Sequence, residues 1–214
     1  MNRLILLLTF FLSAPAFAHH PLAGREMSTF LHGFLSGIGH PLLGFDHLFF
    51  IALVGVAAIY TGYSRLAPFS YVAAMIVGCV LMTMGVVLPA IEWMIGLSLL
   101  VLGSIVLAGR GLSMIAAIGL FAVAGLFHGA AFGESMASAE AASVYQVLIG
   151  YLLGLGLIQY GVALLTGRIA IGLWKATEAS AIQVRLSGAI VAGVGIFLML
   201  ENIEGAVFSV LGLA

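Results

Sequence analysis

Six stretches of this sequence, at about residues 48–64, 66–88, 93–109, 112–130, 141–166 and 186–200, contain no Asp, Glu, Lys or Arg and are overwhelmingly apolar. About 20 apolar residues carry a helix across a bilayer core roughly 30 Å thick, so each stretch is close to one span, tilted or slightly short. Only 7% of the 214 residues are charged, against roughly a quarter in a soluble domain. The sequence therefore predicts an all-α, polytopic membrane helical bundle, a single domain embedded in the lipid bilayer. Seven basic and eight acidic residues give a net charge of −1, which sets aside the basic surfaces that bind nucleic acid. The lone cysteine, Cys79, lies in an apolar run, so disulfides and thiolate clusters play no part. The 28 glycines suit such a bundle, because small residues let helices approach closely where lipid supplies no hydrophobic drive between them. The nine methionines form no cluster and read as packing residues.

The N-terminus has the pattern of an export signal. Met1-Asn2-Arg3 is a short basic region, Leu4 to Leu12 an apolar core too short to span, and Ala16-Phe17-Ala18 a small-residue cleavage site. Cleavage after Ala18 would leave residues 19–214 as the mature domain, starting His19-His20-Pro21 on the periplasmic side of a bacterial inner membrane. A seventh apolar stretch, Ser28 to Phe45, contains Gly33, Gly37, Gly39, Pro41 and Gly44 and is too broken for an ordinary lipid-facing helix. Irregular backbone at membrane depth is tolerated only against protein or a wet cavity. Lys and Arg near span ends resist translocation. With the exported end outside and 28–45 not crossing, Arg65, Arg110, Arg168, Lys175 and Arg185 all fall in the cytoplasm, and Glu92, Glu134, Glu140, Glu201 and Glu204 fall outside. The expectation is six full spans plus a broken or re-entrant N-terminal helix; seven spans, the alternative, would put every one of those basic residues outside. Glu92, Trp93, Trp174 and Lys175 sit at span boundaries as anchors.

Ionisable residues gather in two places, His40-Pro41-Leu42-Leu43-Gly44-Phe45-Asp46-His47 and His128-Gly129-Ala130-Ala131-Phe132-Gly133-Glu134. Such groups are costly inside a membrane and mark pathways, relays or ion sites. Imidazole favours nickel, cobalt, copper and zinc, and carboxylates add charge and tolerance of octahedral geometry. On a regular helix His40 and His47 would stand about 10 Å apart along the axis, so a shared ion requires a break, expected at Pro41 or Gly44. By the same logic Gly129 or Gly133 should unwind the helix between His128 and Glu134. His32-Gly33-x-x-x-Gly37 resembles His128-Gly129-x-x-x-Gly133, which makes His32 a further candidate ligand, with glycine packing beside a hydrogen-bonded histidine as the plainer reading.

The segments H-P-x-x-G-x-D-H, from His40 to His47, and F-H-G-x-x-x-G-E, from Phe127 to Glu134, resemble the two signature motifs of the HupE/UreJ family of nickel and cobalt permeases. The resemblance implies that His40, Asp46 and His47 select the metal and that His128 and Glu134 partner them from a later helix. Many family members carry a further histidine in the second motif, where this chain has Phe132. The function implied is secondary transport of Ni2+ or Co2+ as substrate, with no organic cofactor, and with a homo-oligomer or a cytoplasmic metallochaperone as partner. The chain holds no G-x-x-x-x-G-K-[ST] loop for a nucleotide. The alternative on the same residues is an intramembrane zinc hydrolase, in which Glu134 serves as general base or acid to a zinc-bound water, although the chain lacks an H-E-x-x-H helix.

Overall fold

The structure, a computed structural model, describes residues 27–138 and 145–212. The expected signal segment 1–18, its cleavage site, His19, His20 and Glu140 lie outside the described residues. Seven helices follow in order: α1 (Phe30–Leu43), α2 (Phe45–Ile59), α3 (Leu66–Thr83), α4 (Ile91–Leu107), α5 (Met114–Ser138), α6 (Tyr145–Gly172) and α7 (Ile182–Val210). Each of the six apolar stretches has become one helix. The limits are set by local chemistry: Gly85, in the left-handed region at φ 86°, closes α3, and the Val86 amide reaches back to the Leu81 carbonyl at 2.9 Å.

Four helices, α3, α5, α6 and α7, are each long and apolar enough to cross a membrane. The pair α1–α2 forms a fifth candidate, bent by 83° at Gly44. This differs from the expected separate span at 48–64 beside a re-entrant 28–45. With 14 and 15 residues, α1 and α2 reach about 21 and 22 Å at 1.5 Å per residue, each too short to cross alone. α4, at 17 residues, is also short.

Close backbone contact organises the bundle into three pairs. α5 lies on α3 through Gly125, Gly129 and Gly133, where a Cβ would strike the backbone of Tyr71, Met75 and Cys79 in turn. α4 packs on α7 through Gly96, Gly103, Gly188 and Gly195. α1 and α2 together lie along α6: Gly33 meets Val147, Gly37 meets Tyr151, Gly55 meets Ala163 and Gly167 meets Ile59. Partners rise together in number along both chains, so both halves of the bent pair run in the direction of α6. A hairpin of two crossings would have reversed one of them.

The two ends of the bundle differ in charge. At one end the Tyr60 hydroxyl donates to the Ala176 carbonyl at 2.7 Å and Arg185 Nε donates to the Leu107 carbonyl at 2.9 Å. That end gathers the turns carrying Arg65, Arg110, Arg168, Lys175 and Arg185, all the basic residues described. The opposite end holds the first turn of α4 with Glu92 and the last turns of α5 with Glu134.

Candidate metal centre

The break expected between His40 and His47 is present, and it falls at Gly44. α1 continues through Pro41 as far as Leu43, and α2 starts at Phe45. Gly44 has an ordinary φ of −83°, so its need for glycine is one of space. A Cβ there would come within 3.1 Å of His47 Cδ2 and 3.4 Å of Asp46 Oδ1. The bend places Asp46 in the first turn of α2, where the helix dipole favours a carboxylate.

Around this break opens a cavity of about 430 Å³, lined by His40, Gly44, Asp46, His47, Glu92, Ala131, Glu134 and Ser135. The two sequence motifs therefore meet at one site at the acidic end of the bundle. It brings together two imidazoles and three carboxylates. Among the described residues no three His, Cys, Asp or Glu side chains stand close enough to clasp one ion. The cavity is wider than a first coordination sphere.

The second motif is built differently from the expectation. α5 runs unbroken through Gly129 and Gly133 to Ser138, because those glycines serve contact with α3 and leave the helix wound. Glu134, exposed, reaches the cavity. His128, six residues earlier, is fully buried behind its wall, with Phe50 stacked on it at 4.6 Å.

Hydrogen bonding fixes the orientation of the histidines. Ser98 Oγ donates to the Ile95 carbonyl at 2.7 Å, so at 2.9 Å it accepts from His128 Nε2–H. His128 Nδ1 is then bare and accepts from His47 Nδ1–H, also at 2.9 Å. In the neutral form this leaves the Nε2 lone pair of His47 beside Asp46 Oδ2, 3.6 Å away. With His47 protonated at Nε2 the same contact is an ion pair. Donors sharing one ion at about 2.1 Å stand roughly 3–3.6 Å apart. His40 Nδ1 is held at 3.0 Å by the Tyr151 hydroxyl of α6. Phe132 fills the space between the two cavity imidazoles, its ring centroid 5.2 Å from His40 and 4.3 Å from His47.

His32 is placed elsewhere. It lies in the first turn of α1, its amide bonded to the Thr29 hydroxyl at 3.2 Å and its Nδ1 3.4 Å from the Ser28 amide, and it does not line the cavity. Gly33 and Gly37 beside it are packing glycines. Sequence reasoning missed Glu92, which was read as a boundary anchor and points into the cavity; its signal was a lone charge in an apolar junction just after Pro89. Ser98 and Tyr151, which hold His128 and His40, carried no signal at all.

An all-helical, multi-pass membrane body with one acid-and-imidazole cavity is the class of protein that fold and site define. The chain matches the family described as "HupE / UreJ protein" over residues 6–198, and it belongs to that family. It is 29% identical over 154 residues to "Protein HupE" of Rhizobium leguminosarum bv. viciae, covering 68% of this chain and 78% of the relative. No solved structure matches it. The hydrolase alternative finds no support in this family.

Proposed function

We propose that the chain is a secondary permease that moves nickel or cobalt dications across the bacterial inner membrane, entering through the cavity at its acidic end. The observation that carries this reading is the cavity itself: His40, Asp46, His47, Glu92 and Glu134 around about 430 Å³ in an otherwise apolar bundle. Imidazole with carboxylate suits the borderline first-row ions. The width of the space lets the ion keep part of its water, and so bind with the moderate strength that release demands. His40 and His47 would be ligands together with the carboxylates. His128, with both ring nitrogens engaged, would orient His47 in the way an outer partner fixes a metal-binding imidazole.

The proposed topology has six crossings, with α1–α2 counted as one broken span. The shared direction of both halves with α6 supports that count. The positive-inside rule supports a cytoplasmic basic end, a periplasmic cavity and a mature N-terminus outside, after removal of residues 1–18. Two charges moving down 100 mV gain roughly 4.6 kcal/mol, which drives uptake without a nucleotide; a cytoplasmic metallochaperone would then hold the ion.

The test is accumulation of radioactive nickel and cobalt in cells expressing the protein, with the amount of protein in the membrane measured in parallel. Wild type should accumulate metal and His47→Ala should fall to background at equal membrane content. Equal accumulation by both would overturn the reading.

A further inference from the structure

Among the described residues two fully buried polar atoms of the bundle interior are exceptions to hydrogen-bond pairing. The Tyr71 hydroxyl and the Gln159 carbonyl oxygen are fully buried and have no hydrogen-bond partner among the described residues. Buried polar groups are nearly always paired, and one left bare destabilises the fold, so each exception calls for an explanation. Both belong to one face of α3, Tyr71 as a member of it and Gln159 through its bond to Met75. Tyr71 and Met75 lie four residues apart on one face of α3, and the Gln159 amide nitrogen donates to Met75 Sδ at 3.1 Å. Tyr71 also packs against His128, ring centroids 5.8 Å apart, and against Phe50 at 5.5 Å. Through those rings it stands directly behind the His47–His128 pair. Gln159 lies midway along the 28 residues of α6, on the way from the cavity to the basic end.

We infer that Tyr71 Oη, Gln159 Oε1 and Met75 Sδ form an inner way-station for the dication, the position it takes after leaving the cavity. This rests on the permease reading and deepens it. The donors are two neutral oxygens and a thioether, with no anionic ligand. Such a set holds a first-row divalent ion more weakly than imidazole and carboxylate do, as a station that must release its cargo inward should. Phe50 lies on both His128 and Tyr71, so an ion passing from the cavity to the inner station would have to displace its ring.

The discriminating variants are Tyr71→Phe and Gln159→Leu, alone and together: the first removes only the bare hydroxyl, and the second replaces the amide, with its bond to Met75 Sδ, by an apolar group of similar size. Three quantities are measured on the full chain: nickel uptake in cells, nickel binding by the purified protein in detergent, and its thermal unfolding midpoint. The expected result is uptake reduced about tenfold or more in the double variant, one tenfold step being about 1.4 kcal/mol. Nickel binding at the cavity should persist, and the midpoint of Tyr71→Phe should hold or rise, since an unpaired polar atom has been removed. Unchanged uptake would overturn the inference. A lowered midpoint in Tyr71→Phe would also overturn it, showing that the hydroxyl serves the fold. A wild-type protein that neither binds nor takes up nickel would sink the permease reading itself, an outcome separable from the first because it appears before any variant is made.

Discussion

The Ser98 hydroxyl decides which nitrogen of His47 faces the cavity, although it lies two hydrogen bonds away. Ser98→Ala would remove the acceptor for His128 Nε2–H and free both rings to change tautomer. Losing such an outer partner typically lowers metal affinity by about 10–100-fold. Nickel binding to purified Ser98→Ala should therefore weaken by at least about tenfold, with helix content unchanged; binding equal to wild type would show that the relay does not orient His47. At this scale the sequence was informative where a residue type is rare in its surroundings. His40, Asp46, His47 and Glu134 are conspicuous in an apolar chain, and all four line one cavity. His32 was equally conspicuous and lies outside it, because a histidine near a helix start also finds partners in its own turn. Serine and tyrosine occur throughout the spans, so nothing in their type singles out Ser98 or Tyr151.

Glycine plays two roles in these helices, and spacing alone does not separate them. At Gly44 the chain breaks and the missing Cβ makes room for the His47 ring. At Gly125, Gly129 and Gly133 the helix continues, and the missing Cβ makes room for α3. The four-residue interval puts those three on one face, which marks a packing seam; Gly44 has Pro41 just before it and a charge two residues after. Gly129→Leu should force α3 and α5 apart at the Met75 carbonyl and destabilise by about 3 kcal/mol or more, beyond the usual overpacking cost because backbone has to yield. Gly119 faces open space, and Gly119→Ala should leave stability equal or slightly raised through better helix propensity. The unfolding midpoints of the two purified variants check both expectations. Gly44→Ala should spare the fold and weaken nickel binding, since its methyl group presses on His47 and Asp46.

For the whole molecule, the all-helical membrane class was legible from apolar runs alone, and the break near Gly44 from its proline and glycine, whereas the pairing of α1 and α2 as two short helices was not. Hydropathy reports length, and α1 and α2 are each shorter than a span; that both follow α6 in one direction is visible only in their glycine contacts. Orientation is open to a direct test because the chain has a single cysteine, and Cys79 is buried. Single cysteines at Val87, on the acidic end and 70% exposed, and at exposed Thr177, on the basic end, give opposite expectations. In intact spheroplasts a membrane-impermeant maleimide should label Val87→Cys and spare Thr177→Cys until the membrane is opened; the reverse pattern would invert the topology. The cavity draws side chains from each of the three helix pairs: His40, Asp46 and His47 from the α1–α2 and α6 unit, Glu92 from α4 with α7, and Glu134 from α5 with α3. On the proposed reading, an arriving dication would be a keystone set among three otherwise self-contained blocks, tightening the arch while it stays and loosening it on departure. Nickel should then raise the melting temperature of the purified protein through preferential binding to the folded state, and Glu92→Gln, by cutting one block loose from the keystone, should blunt that rise.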